Sequence, residues 1–101
     1  MSDRIELTNR QKRHLKAAAH NLNPVVAIGN KGITDSLIDE LNIALAHHEL
    51  IKIKLPGIEK SDRSLLLNDA CQQANAHNVS MIGRIGIVYK AAKKPKITLP
   101  E

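Results

Sequence analysis

The spacing of apolar and polar residues changes several times along the chain, and each change predicts a new element. Thr8-Asn9-Arg10-Gln11 has the spacing of a capping box, with Thr8 as N-cap and Gln11 at the third helical position. Beyond it Leu15, Ala18, Ala19 and Leu22 recur on one face at the helical period, with Lys12, Arg13, Lys16 and His20 opposite. This predicts a helix over 9–22, ended at Asn23-Pro24, because the residue before a proline is pushed out of the helical region. The apolar run Val25 to Ile28 reads as a short strand, and Gly29-Asn30-Lys31-Gly32 follows at once. A second helix is expected from Thr34, a good side-chain cap, with Asp35 just inside where the helix dipole favours an anion. Ile33, Leu37, Leu41, Ala44, Leu45 and His48 form its inward stripe.

The period then drops to two. Ile51, Ile53 and Leu55 alternate with Lys52 and Lys54, the mark of a half-buried strand closed by a Pro56-Gly57 turn. A third helix fits 62–77, capped by Ser61, with Leu66, Leu67, Ala70, Cys71 and Ala74 inward. Val79 to Tyr89 is interrupted by Gly83-Arg84 and reads as two strands joined by a turn, and residues 91–101 read as a loose basic tail. The result is a single-domain α/β fold, α-β-α-β-α-β-β, with a mixed four-stranded sheet, since strands alternating with helices call for partly parallel pairing.

Size and composition restrict the function classes. At 101 residues the chain is one domain's worth. No apolar run approaches the ~20 residues of a membrane span, and no signal-peptide stretch is seen, so a soluble cytoplasmic protein is expected. Cys71 is the one cysteine, so no internal disulfide can form; on its apolar stripe it reads as inert core. The triplet Asn78-Val79-Ser80 is then an accidental match to a glycosylation site.

Charge narrows the choice further. The net charge is +5, and it is distributed in blocks. Residues 1–23 carry Arg4, Arg10, Lys12, Arg13 and Lys16 against Asp3 and Glu6; residues 79–101 carry Arg84, Lys90, Lys93, Lys94 and Lys96 against Glu101. Residues 33–49 hold Asp35, Asp39, Glu40 and Glu49 with no Lys or Arg. Basic blocks that fold onto one face attract a polyanion, through counterion release if it is nucleic acid. Tyr89 is the only aromatic residue, so a module that reads unpaired bases on several stacking platforms is excluded. Phosphates, sugar hydroxyls and shape are left as the recognisable features.

Gly29-x-x-Gly32 lies between a strand and a helix start, where glycines let a backbone approach closely and free amides can meet a phosphate, helped by Lys31. Alone, this spacing also describes an ordinary tight turn. Neither the dinucleotide fingerprint G-x-G-x-x-G nor the phosphate loop G-x-x-x-x-G-K-[ST] is present. His47-His48-Glu49 lacks the second histidine of H-E-x-x-H, and Asp35, Asp39 and Glu40 have no catalytic partner at a recognised spacing. No metal, no cofactor, no small-molecule substrate and no enzyme activity are expected.

Leu7-Thr8, Gln11, Leu15, Ala19-His20-x-Leu22-x-Pro24-Val25-Val26, Ile28-Gly29-x-x-Gly32 and Thr34 occur in order, followed by Glu40, Ala44-Leu45, His48-Glu49-Leu50-Ile51-Lys52, Ile82-Gly83 and Tyr89-Lys90. Over about residues 5–90 this pattern resembles a stand-alone CRM domain (chloroplast RNA splicing and ribosome maturation) of the YhbY type. The resemblance implies an RNA-binding α/β domain similar to the C-terminal domain of the third bacterial initiation factor. It also implies contact with ribosomal RNA of a large-subunit (50S) precursor through the GxxG loop. Splicing of structured introns is the alternative within the family, and docking on a ribosomal protein the alternative outside it. Tyr89-Lys90 replaces a Tyr-Arg pair common in the family, which keeps the charge but not the planar fork. The candidate RNA-contacting residues are Gly29, Asn30, Lys31 and Gly32, with Lys12, Arg13, Lys16, Lys52, Lys54, Arg84 and Lys90 extending the positive surface.

Overall fold

A computed structural model describes residues 6–101. Among them the elements follow in the expected order: α1 (Asn9–Ala18), β1 (Pro24–Ala27), α2 (Asp35–His48), β2 (Leu50–Lys54), α3 (Lys60–Gln73), β3 (His77–Ile82) and β4 (Ile85–Tyr89). The four strands make one mixed sheet in the order β1-β2-β4-β3. β1 is parallel to β2, as a connection through α2 requires, whereas β4 is antiparallel to both β2 and β3.

Local chemistry sets most of the boundaries. Thr8 Oγ1 accepts from the Gln11 amide at 3.1 Å and Gln11 Oε1 accepts from the Thr8 amide at 3.0 Å, the reciprocal capping box. Thr34 Oγ1 likewise accepts from the Leu37 amide at 3.1 Å and starts α2. α1 ends at Ala18 rather than at Leu22. The Leu22 amide turns back to the Ala19 carbonyl at 2.9 Å, a tight turn that directs the chain into Pro24. Ala18 and Leu22, expected inward, are therefore exposed.

α3 spans 60–73 instead of 62–77. Its N-cap is Glu59, without a side-chain bond, and the expected cap Ser61 lies inside the first turn. The early end has a clear cause: Ala76 N–H reaches Cys71 O at 2.8 Å and Asn75 N–H reaches Gln72 O at 3.2 Å around Asn75 at φ 54°, a Schellman motif. That motif releases His77 to begin β3. β1 starts one residue earlier than expected, at Pro24, an edge-strand position that tolerates the missing N–H.

Two hydrophobic clusters lie on opposite faces of the sheet. α2 and α3 cover one face: Leu37, Leu41, Leu45, Leu67, Ala70 and Cys71 pack against Val26, Ile51, Ile53 and Val88. The other face carries α1, whose Leu15 and Ala19 pack with Leu50, Val79, Ile87 and Tyr89. Full burial of each large side chain contributes about 1.5–3 kcal/mol. His48, expected on the inward stripe of α2, is exposed because the helix ends there and the chain reverses through Glu49 at φ 61°.

Segment 91–101, read from composition as a loose tail, is tied down. Ile97 and Leu99 pack into the second cluster, and Gln11 Nε2 donates to Pro100 O at 3.0 Å. The anchor is Glu49, which is 1% exposed: its Oε1 accepts from the Lys96 amide, and its carbonyl accepts from the Lys90 amide. Burial pushes the Tyr89 phenol above its ordinary pKa, and the Glu49 carboxylate pushes it the same way. No helix among the described residues is long and apolar enough to cross a membrane.

Candidate nucleic-acid interface

Residues paired directly across a sheet point to the same side, so the register fixes which cations share a face. Lys52 and Lys54 lie opposite Ile87 and Ile85, on the face that carries α1, while Ile51 and Ile53 turn toward α2 and α3. α1 packs against β3 and leaves the β1–β2 side of this face open, where Val25, Ala27 and Lys54 are exposed.

The glycine loop sits at one end of this surface. It follows β1 directly, and the Ile28 amide donates to Lys54 O at 2.9 Å, which fixes the loop beside the end of β2. Gly32 has φ +70°, a left-handed conformation that glycine adopts without strain, and its amide closes the turn onto Gly29 O at 3.0 Å. The amides of Gly29, Asn30 and Lys31 make no hydrogen bond to any described residue, and all three residues are exposed. Arg84, in the β3–β4 turn, closes the other side of Lys54. Its carbonyl accepts from the Leu55 amide at 2.7 Å and its Nε donates to Leu55 O at 3.2 Å. The guanidinium rests over Gly57, where an added Cβ would stand 3.5 Å from Cζ. Its two terminal NH2 groups lie 3.6 and 3.7 Å from the same added Cβ, and Arg84 itself is exposed. Gly29–Gly32, Lys31, Lys54 and Arg84 are thus brought to one end of the sheet.

A second group runs along α1. Arg13 and Lys16 flank shallow grooves beside His20 on one side and beside Val79 and Ser80 on the other. Lys12 shares the Val79–Ser80 groove and also borders a cleft with Asn68 and Asn78. Lys52 joins the two groups: half-buried, it donates from Nζ to the His20 carbonyl at 3.2 Å, pinning the turn after α1 to β2. None of Lys12, Arg13, Lys16, Lys31, Lys52, Lys54 or Arg84 forms an ion pair with a described carboxylate. Their field is therefore not neutralised locally.

Lys90 is not brought to this end. It follows Tyr89, which pairs with Leu50 at the far end of β2, about 13 Å from Lys54 at the rise of a strand. Its Nζ donates to the Ala74 carbonyl at 2.8 Å and caps the C-terminus of α3. Tyr89, the one Phe, Tyr or Trp of the sequence, is 3% exposed and offers no phenol ring for stacking. Two features were beyond sequence reasoning: the buried Glu49 anchor and the seating of Arg84 over Gly57. Both depend on residues far apart in the chain, and only the glycine in the Pro56-Gly57 turn hinted at a close approach.

Loop, strand ends and basic helix together define an α/β scaffold that presents backbone amides and unpaired cations side by side. The chain belongs to the CRS1/YhbY (CRM) domain family, whose profile matches residues 7–90. It is 40% identical over 94 residues to a Haemophilus influenzae protein named as an RNA-binding protein, covering 93% of this chain and 95% of that one. It is 33% identical over 95 residues to YqeI of Bacillus subtilis, covering 93% and 99% of the two chains. The solution structure of a hypothetical protein from Staphylococcus aureus superposes with a TM-score of 0.83 at 30% identity, over 94% of this chain and all of that one.

Proposed function

We propose that this chain is a non-catalytic, cytoplasmic RNA-binding protein that contacts structured ribosomal RNA during assembly of the large ribosomal subunit. The observation that carries this reading is the convergence at one sheet end of three unengaged amides (Gly29, Asn30, Lys31) with the unpaired cations Lys31, Lys54 and Arg84. Amides and cations of this kind hold phosphate oxygens and carry no base code. Arg13, Lys16 and Lys52 extend the contact along the face that carries α1. With no exposed Phe, Tyr or Trp, the RNA is recognised chiefly by backbone and shape, which suits a folded ribosomal RNA better than an unpaired strand. Names given to family relatives support RNA as the partner.

Two measurements test the reading. Lys31→Ala should weaken binding to a ribosomal RNA fragment and lower the log–log salt slope by about 1. Unchanged affinity would remove the loop from the interface. Mapping crosslinked nucleotides on particles purified with the tagged protein should place reads on precursor ribosomal RNA of the large subunit. Reads concentrated on introns would replace the assembly role with splicing.

A further inference from the structure

At the sheet end remote from the glycine loop, the C-terminal halves of α2 and α3 leave a groove of about 720 Å³, within the ~300–1,000 Å³ range of ligand clefts. Leu45, Ala46, Ala74, Ala91 and Ala92 give it an apolar lining. Lys90, Lys93 and Lys94 stand along it, and no Asp or Glu among the described residues lines it. Lys93 and Lys94 are exposed and pair with no described carboxylate.

We propose that this groove docks an acidic peptide segment of a partner protein, one that carries aliphatic side chains between its carboxylates. Charge complementarity sets the sign of the partner, because among the described residues the charged groups along the groove are all ammonium groups. The lining sets its class. Aliphatic side chains gain by covering a surface of Leu and Ala, whereas a phosphodiester backbone gains nothing from it. Because the groove and the glycine loop lie at opposite ends of the sheet, RNA and the peptide can be held at the same time. The inference does not depend on the RNA reading.

The test is a titration of the isotope-labelled full chain with a synthetic peptide of alternating leucine, alanine and glutamate, followed by amide NMR. Saturable shifts centred on Ala46, Ala74, Ala91 and Ala92 are expected. Lys93→Glu with Lys94→Glu should weaken the peptide by about tenfold, since each reversal turns a screened attraction into a repulsion. Ala46→Gln, at an exposed helix position, should weaken it by crowding the lining without changing the charge. Affinity of the charge-reversed protein for RNA at the glycine loop should be retained. Three outcomes would overturn the proposal: no shifts at the groove, equal binding of a peptide with lysine in place of glutamate, or displacement of the peptide by a short RNA duplex that shifts the same amides.

Discussion

The two glycines of the loop make different demands, and exchanging each for alanine separates folding from binding. At Gly29 an added Cβ meets nothing within 4 Å, and the residue is not among those with positive φ. Gly29→Ala should therefore stabilise the fold by about 0.4–1 kcal/mol, by restricting the unfolded chain. Gly32 has φ +70°, with Leu66 Cδ1 4.0 Å from the added Cβ, so the space suffices but the backbone does not suit alanine. The left-handed conformation costs about 1–2 kcal/mol, which the same entropic gain offsets in part, leaving a net loss of about 0.5–1 kcal/mol. Thermal midpoints should consequently move in opposite directions, by about 4–8 °C per kcal/mol in a domain of this size.

Binding should order the two variants differently. A methyl group at Gly29 stands where a phosphate must approach the free amides. Loss of one charge-assisted hydrogen bond, about 1.5–3 kcal/mol, corresponds to at least about tenfold in affinity. Calorimetry and fluorescence anisotropy with a ribosomal RNA fragment would read both effects on one preparation. A Gly29→Ala protein that is more stable and still binds within about twofold of wild type would refute the argument that the loop backbone touches RNA.

Other expectations follow from the core and the helix ends. Gly86→Ala would place a Cβ 2.7 and 2.9 Å from the methyl carbons of Leu67, a fully buried side chain, and should destabilise by about 1–3 kcal/mol with an unchanged urea m-value. A loss under about 0.5 kcal/mol would show that Leu67 can move aside. Lys90→Ala removes the cation that caps Ala74 and should cost about 0.5–1.5 kcal/mol while leaving RNA affinity unchanged; a loss of affinity would extend the interface to the far end of the sheet. The raised Tyr89 pKa gives an alkaline effect of definite sign. The unfolded phenol ionises first, so stability is full below about pH 10 and falls as pH rises toward the folded-state value. Tyr89→Phe should flatten that fall in denaturation curves collected across the alkaline range.

Features decided within a few residues were legible in the chain. The Thr8 and Thr34 caps satisfy their own helix starts, so residue type and spacing were enough. The alternation at Ile51, Lys52, Ile53 and Lys54 assigned those side chains to the correct faces for the same reason. Prediction failed where a tertiary partner or an unusual backbone decided the outcome. Ser61 is a good cap by type, yet α3 begins at Lys60 behind Glu59, with no side-chain bond to announce it. Asn75 ends α3 by entering a left-handed conformation, which the residue type permits but does not require. For the candidate site, the glycine loop and the Lys52–Lys54 strand could be placed from order alone. The grouping of Arg84 with Lys54, and the separation of Lys90 from both, follow from the antiparallel register of β4 against β2. Composition could not show that Glu49 fastens the C-terminal segment, because that bond spans 47 positions.

The strand order β1-β2-β4-β3 has a consequence for how the protein is made. The last strand to be synthesised takes an interior lane, with β2 on one side and β3 on the other. A nascent chain that has emerged only through β3 has no strand to pair β2 with β3, and one margin of β2 stays unpaired. Completion of the sheet therefore waits for Tyr89 to leave the translating ribosome, and any stall before that point exposes an open, aggregation-prone border.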